Sequence, residues 1–413
     1  MKVLLINNCH YRRGGADVVY LSTGQLLGGN GHDVAYFSTT SDKNEPTKYS
    51  DYFIDDVDAL ELNLLEQISK MPRKLYSSEA KEKLIKLLNT FKPDIAHIHL
   101  YKGGLTASIL PVLRKHKIPT VISLHDYSLI CPHNILVDGD DNLCERCLKS
   151  TPFNCVIHRC NRKNIFYSGV NYMEYVINNK LFRPEIFFDK IICVCRFNLE
   201  KHKIKINIKD KLVQLYNFSS DLENIVPNHE KGDYFLFYGR LKKIKGVLTL
   251  IDAWKEVSDG LKLKVAGEGN LYIQIEQKIQ NERIKNVELL GYKSGDELNQ
   301  LIKNASFIIV PSECYENNPM SIIEGYSFGK PVIGTKIGGI PEIIEEGKTG
   351  FTFEMRNAKK LTNLIDFAGK INSKDYSEMS INARLYAENH FSPESHYQKL
   401  LAIYKETIDQ YEK

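Results

Sequence analysis

Several things are missing from this chain, and each absence narrows its class. No stretch offers the roughly 18 uninterrupted apolar residues of a membrane-spanning helix, so no span is expected. The opening MKVLLINNCHYRR holds only a short apolar run and no small-residue cleavage site, which argues against a secretory leader. Val3–Asn7 reads instead as a first buried strand, and a cytoplasmic protein, at most peripheral to a membrane, is expected. A strong charge of either sign is also lacking. The formal net charge is +4, too small by itself to mark a nucleic-acid binder. Finally, no G-x-G-x-x-G follows the first strand of either half, which removes the fingerprint of a dinucleotide-dependent oxidoreductase.

What is present is the pattern of a two-domain α/β protein. A length of 413 residues exceeds one ordinary core, and 43% hydrophobic with 26% charged residues is ordinary for a soluble chain. In the first half, Val3–Asn7 and Asp33–Phe37 read as strands around a helix over Asp17–Leu27. After an amphipathic helix over 80–91 come the short runs Asp94–Leu100, Pro119–His125, Lys190–Arg196 and Leu212–Asn217. The second half opens at Tyr234–Arg240 and continues with LKLKVAG, NVELLGY, ASFIIVP, KPVIGT and TGFTF, with helical segments between them. Apolar runs that end at polar residues or glycine, alternating with helices, predict parallel sheets built from βαβ units. The turn-rich Asn217–Gly232 reads as the interdomain linker. The division expected is 1–217, 218–390 and a final helix over 391–413.

Charge and cysteine are unevenly spread. Residues 141–215 hold fourteen Lys/Arg against seven Asp/Glu, a local +7 that leaves the remainder at −3. The run KHKIKINIKDK, with Lys201, Lys203, Lys205, Lys209 and Lys211, alternates charge with isoleucine as an exposed strand would. A solvated face is the ordinary reading, anionic lipid headgroups the sharper one and nucleic acid a third. Five of the nine cysteines fall between Cys131 and Cys160. Cys144 and Cys147 form a C-x2-C pair, followed by Cys155 and Cys160 at a wider spacing. Four such thiolates could close a structural zinc site, with His133 or His158 replacing one of them; buried free thiols are the alternative.

The segment PSECYENNPMSIIEGYSFGKPVIGT, Pro311–Thr335, carries the chemistry. Glu316 and Glu324 are separated by seven residues, with a strand before them and Gly329, Pro331 and a second strand after them. In an open α/β sheet the loops past the carboxyl ends of the strands bind ligands. Eight residues along a helix return nearly to one face, so two carboxylates there could hold two sets of hydroxyls on one elongated ligand. Two solvated glutamates are the bland reading. Arg240 ends a strand, and Lys245 and Gly246 open the helix Val247–Val257, which suits a diphosphate. Gly14 and Gly15 open the first helix in the other half, where a bare backbone admits a phosphate or a sugar. Gly267–Gly269 makes a similar turn.

In order and spacing, GRLKKIKG, VAGEGN, ELLGYKSGDELNQLIKNASFIIVPS, E-x7-E and GKPVIGTKIGGIPEII closely resemble the second domain of the family-four retaining glycosyltransferases, the glycogen-synthase-like group. The Gly-Gly pair, GHDV and SLHDYSLICP resemble that group's first domain. The resemblance implies a GT-B fold: two Rossmann-like domains facing across a cleft, with the last helix crossing back to the first. It implies that Arg240 and Lys245 grip the donor diphosphate and that Glu324 takes the ribose hydroxyls. Glu316 and the backbone of Asn317, Asn318, Pro319 and Met320 would hold the donor sugar. Gly14 and Gly15 would approach the donor phosphates or the acceptor, and His125 the donor sugar. The implied partners are a UDP- or GDP-sugar and a saccharide or lipid-linked saccharide of a bacterial surface glycan, with no nucleic acid; a lipid-linked acceptor and the basic residues of 141–215 together lead us to expect peripheral contact with an anionic membrane. Catalysis would retain the anomeric configuration and need no metal. Many relatives carry E-G-F-G where this chain has Glu316-Asn317-Asn318-Pro319, which leaves the donor sugar open. A sugar-nucleotide 2-epimerase or an inactive nucleotide-sugar-binding scaffold are the alternatives.

Overall fold

The computed structural model describes residues 1–55, 72–205 and 209–412. The central strands of its two sheets are short apolar runs with no polar face. In β1 (Lys2–Ile6), Val3, Leu4, Leu5 and Ile6 are all fully buried, so the strand is covered on both sides, as parallel strands are. The first sheet adds β2 (Asp33–Phe37), β3 (Ile95–Ile98), β4 (Thr120–Leu124), β5 (Lys190–Cys193) and β6 (Leu212–Gln214). Its order is β2-β1-β3-β4-β5-β6 and every pairing is parallel. The second sheet holds β7 (Phe235–Tyr238), β8 (Leu263–Ala266), β9 (Val287–Gly291), β10 (Ile308–Val310), β11 (Val332–Thr335) and β12 (Gly350–Phe353). Its order is β12-β11-β10-β7-β8-β9, again all parallel. Each order reverses direction once, between β1 and β3 and between β7 and β10. Loops diverge at such points and leave a crevice at the strand carboxyl ends.

The chain forms two compact units. One comprises Met1–Asp140, Cys144–Tyr216 and the end of the chain from His396; the other comprises Asn217–Ser395 with the short stretch Asp141–Leu143. The last helix, Pro393–Glu412, returns to the first unit as expected, where Tyr397, Leu400 and Tyr404 join the core of Val3, Leu5 and Tyr20. Ser392 caps it, its Oγ accepting from the Ser395 N–H at 3.4 Å. Inside the same unit the Tyr404 hydroxyl meets His97 Nδ1 at 2.6 Å and Tyr397 meets His32 Nε2 at 2.9 Å. The second unit is built around Phe235, Trp254, Phe307 and Tyr376, with Phe235 and Phe307 stacked at 5.7 Å.

One local expectation gives way. Strand β5 stops at Cys193, and a helix runs from Arg196 to Lys205 where charge alternation suggested an exposed strand. The start of that helix is set by Cys195, whose Sγ accepts from the Asn198 N–H at 3.2 Å, and His202 is buried on its inner face. Residues 206–208 of the same run lie outside the described residues, and Lys209–Lys211 form a short 3-10 turn. The stretch Asn217–Gly232, read as the interdomain linker, begins where the second unit begins and is held to it. The buried Lys330 ammonium donates to the Asn228 carbonyl at 2.7 Å and the Glu230 carbonyl at 3.1 Å, and Asn217 is clamped by Asn318.

Candidate functional site

In the second unit the loops after β7 and β10 meet beside the reversal of strand order. The first contains Arg240 and Lys245; the second contains Ser312, Glu313 and Glu316. Their contact depends on glycine at one point. Gly246 has φ +69°, and a Cβ there would lie 1.7 Å from the Pro311 carbonyl oxygen, so only glycine lets the two backbones approach. The Glu313 N–H then donates to the Ile244 carbonyl at 2.8 Å and locks the loops together. Gly338, at φ +60°, plays the same part on the far side, where a Cβ would stand 2.3 Å from the Glu316 carbonyl oxygen.

Within this frame the Lys245 ammonium lies 2.5 Å from Glu316 Oε1, and the Ser312 hydroxyl donates to the same oxygen at 2.7 Å. Burial opposes the charge on both partners, yet each charge prevails. Lys245 is held above the usual lysine range by Glu316, and Glu316 below the usual carboxylate range by Lys245, Ser312 and Arg240. Arg240 is exposed and acts on both through its field. The result is an ion pair at neutral pH, flanked by an exposed guanidinium. Two cations and helix backbone at the end of a parallel sheet form a receptive place for a polyanion.

Glu324 lies half-buried on the helix Met320–Ser327; burial and, after it, the Glu324 charge push the Tyr238 phenol up, while the Tyr238 hydroxyl donates to the Ser321 carbonyl at 2.9 Å. Pro319 caps that helix and Met320 begins it. Asn317 and Asn318 are buried, and the Asn318 amide is turned inward: its Oδ1 accepts from the Asn217 N–H at 2.8 Å. Asn318 therefore braces the loop with its side chain. Sequence reasoning passed over Glu313, which joins the loop to the body of the unit. Thr249 donates to its Oε1 and Arg356 to its Oε2, each at 2.6 Å. The partners are 64 and 43 residues away in sequence, too far for any spacing rule to reveal them.

The first unit holds the remaining residues, at the carboxyl ends of its own strands. Gly14 caps the helix Gly15–Gly29 in extended backbone, and a Cβ there would meet only Asp17 Oδ2 at 3.8 Å. No fold constraint requires glycine at that position, and what it provides is an uncovered helix start. His125 Nε2 and His99 Nδ1 are 2.9 Å apart with nearly parallel rings. Burial lowers the His125 pKa to about 4, so the pair is neutral at pH 7. The two histidines line a cavity of about 180 Å³ with Asn8, Arg13, Lys102 and Asp126. Lys102 donates to the Ser128 carbonyl at 2.5 Å, and burial lowers its pKa to about 8. Of these, Asp126 lies within the SLHDY motif, whereas His99 and Lys102 follow β3 and no spacing in the sequence joins them to it.

The cysteine segment, residues 144–160, lies within the first unit. Cys147, Cys155 and Cys160 pack together, while Cys144 lies outside that cluster with its Sγ 3.6 Å from Arg146 Nη1. Among the described residues no group of three or more His, Cys, Asp or Glu side chains is placed to hold a metal ion. The thiols are buried, and burial raises Cys147 to about 12.

Comparison with known proteins places this geometry in context. Residues 13–218 match the family model described as Glycosyltransferase Family 4, and residues 219–386 that described as Glycosyl transferases group 1. An uncharacterized glycosyltransferase of Methanocaldococcus jannaschii is 36% identical over 177 residues, covering 43% of this chain and 48% of that protein, so the match spans about half the relative's length. The lipopolysaccharide 1,2-N-acetylglucosaminetransferase of Salmonella typhimurium is 27% identical over 36% of this chain and 39% of its own. Among solved structures, HepE of Anabaena in complex with UDP superimposes with a TM-score of 0.64 at 16% identity, covering 97% of this chain and 99% of that one.

Proposed function

The chain belongs to the family-four, group 1 glycosyltransferases, and from that premise we propose that it transfers a sugar from a nucleotide-diphosphate donor to a saccharide acceptor with retention of anomeric configuration. The observation that carries the reading is the Lys245–Glu316 pair beside Arg240, set at the strand reversal of the second sheet. In this reading Arg240 and Lys245 bind the donor diphosphate and stabilise the charge that grows on it as the sugar–phosphate bond breaks. They do the work that a divalent ion does in other transferases. Glu316 accepts hydrogen bonds from the donor sugar, supported by the backbone of Asn317–Met320, and Glu324 accepts them from the ribose. The neutral His125 offers a donor or an acceptor to a sugar hydroxyl, and the open start of the first helix at Gly14–Gly15 admits phosphate or acceptor.

HepE binds UDP, which supports a uridine donor, and GDP-sugars are the second class to test. The Salmonella relative acts on lipopolysaccharide, which supports a surface-glycan acceptor, free or lipid-linked, met on the cytoplasmic side of the membrane. The test begins with thermal shifts against a panel of UDP- and GDP-sugars, with and without chelator. The donor that binds is then incubated with acceptor saccharides, and the new anomeric centre is read by proton NMR. An α-linked donor is expected to give an α-linked product, with chelator present. An inverted product would overturn the retaining assignment. Epimerised donor, or binding with neither transfer nor hydrolysis, would favour the epimerase or the scaffold.

A further inference from the structure

Between Lys149 and Arg183 the sequence contains six basic residues and one acid, Glu174, among many apolar ones. The structure arranges these by face. The helix Ile165–Val176 starts at Asn164, whose Oδ1 accepts from the Phe166 N–H at 2.8 Å, and a π-helical turn over Ile177–Leu181 prolongs it. Ser168, Tyr175 and Asn178 are buried on its inner side, and Glu174 Oε1 is buried as well. Phe166, Met173 and Leu181 follow at intervals of seven and eight residues on the opposite side, 38%, 49% and 69% exposed. The stripe continues onto the adjacent helix Asn154–Ile157. There Phe153 and Ile157 are 45% and 59% exposed, and the Phe153 ring meets Tyr172 edge-on at 5.3 Å. Seven of the fifteen exposed large apolar side chains among the described residues fall between 153 and 186. Isolated exposed apolar residues are ordinary, but a grouped set marks a surface that meets something.

The charges identify the occupant. Arg159 and Arg162 stand exposed at one end of the stripe and Lys180 and Arg183 at the other. Arg162 lies over the Tyr167 ring at 5.0 Å, and Lys163 is paired with Asp140 at 2.8 Å. A second copy docked on this face would set these cations against their equals. A helix with an apolar outer stripe bordered by arginine and lysine suits the boundary between acyl chains and anionic headgroups.

We propose that the outer face of the Ile165–Leu181 helix, extended by Phe153 and Ile157, is a docking surface for an anionic lipid bilayer. This goes beyond the proposed sugar transfer and does not depend on it. It also moves the contact away from the Lys201–Lys211 run, where Lys201, Lys203, Lys205 and Lys211 have partners within the unit. Lys201 bonds Glu145 at 2.5 Å and Lys203 bonds Glu200 at 2.9 Å; Lys205 bonds the Cys147 carbonyl and Lys211 the Phe188 carbonyl.

Co-sedimentation of the full chain with phosphatidylglycerol-containing and with pure phosphatidylcholine vesicles tests the proposal without any catalysis. The wild type is expected to partition onto the anionic vesicles. The triple variant Phe166→Ser, Met173→Ser, Leu181→Ser should partition about ten-fold less, with unchanged nucleotide-sugar binding. The variant Arg159→Gln, Arg162→Gln, Lys180→Gln, Arg183→Gln should lose the preference for anionic lipid, and a five-glutamine variant of the Lys201–Lys211 run should keep it. Undiminished binding by the triple variant would overturn the proposal. So would a wild-type dimer in light scattering that the triple variant dissociates. Should the triple variant fail to fold, Phe166→Trp keeps the test open: its emission should shift to the blue on anionic vesicles, and an unshifted spectrum counts against docking.

Discussion

Lys245 is pre-positioned by the carboxylate it would later share with a ligand. At 2.5 Å from Glu316 its ammonium is fixed in place, and an incoming diphosphate adds anions to a site already oriented. Arg240, by contrast, is exposed and contributes mainly its field. The two alanine variants should therefore separate. Both should lose about 10²–10³ in kcat/KM, the range for removing one charge-stabilising group. Arg240→Ala should leave stability within about 0.5 kcal/mol of wild type. Lys245→Ala leaves Glu316 without its cation among buried neighbours and should destabilise by about 1–3 kcal/mol. Steady-state kinetics beside thermal melts decide it, and a folded Lys245→Ala enzyme with undiminished kcat/KM would refute the role. Glu316, Glu324, Arg240 and Lys245 were readable because each lies a fixed number of residues from a strand end. Glu313 was not, since what defines it is its contacts with Thr249 and Arg356 rather than its neighbours in sequence.

At the level of elements, the loops are set by backbone approach more than by side-chain attraction. Gly246 combines a left-handed φ of +69° with a carbonyl 1.7 Å from where a Cβ would stand, so Gly246→Ala must move the Lys245 loop off the Pro311 loop. We expect a loss of about 2 kcal/mol or more and a fall in activity larger than the stability change explains, because Lys245 would leave Glu316. Gly14→Ala is the contrast: extended backbone and an open Cβ position predict an unchanged melting temperature, with any loss confined to ligand binding. Circular-dichroism melts and donor titrations on the two variants distinguish the cases; an unaffected Gly246→Ala protein would show that the loop approach is not needed. Central strands such as β1, β10 and β11 were legible because both faces are buried and their apolar runs are uninterrupted. The Lys201–Lys211 run was misread because its alternation of lysine and isoleucine imitates a period of two. The helix is fixed instead by the Cys195 thiol at its start and by the burial of His202, tertiary facts that a local pattern does not contain.

Across the whole molecule, the most strongly depressed histidines among the described residues lie in the first unit, while His229 in the second is lowered as well. Burial lowers His10, His125, His202 and His396 to about 4 and His97 to about 3, and His99 lies well below its usual range. In the second unit Glu316 is instead held low by Lys245 against the effect of burial. The two units should therefore respond to acid at different pH. A histidine whose folded pKa is depressed contributes stability that is fully present above its unfolded value near 6.5. That stability is lost as pH falls from there toward about 4, because only the unfolded chain takes up the proton. Each such shift amounts to a few kcal/mol at most, and Asp126 and Glu174, whose carboxyls burial pushes up, offset part of it by binding protons in the folded state. Glu316 loses its contribution only below the ordinary carboxylate range, so the second unit should hold longer. His97 and His396 make the last helix the sensitive point, since His97 grips Tyr404 and His396 grips the Tyr216 carbonyl at 2.9 Å. Hydrogen exchange at pH 7 and at about pH 4.5 should show the helix Pro393–Glu412 and β3 losing protection while β7 and β10 retain theirs. Loss in the second sheet first, or uniformly in both, would refute the assignment. His97→Asn, which keeps a hydrogen-bonding side chain but cannot acquire a proton in this range, should move the onset of that loss to lower pH.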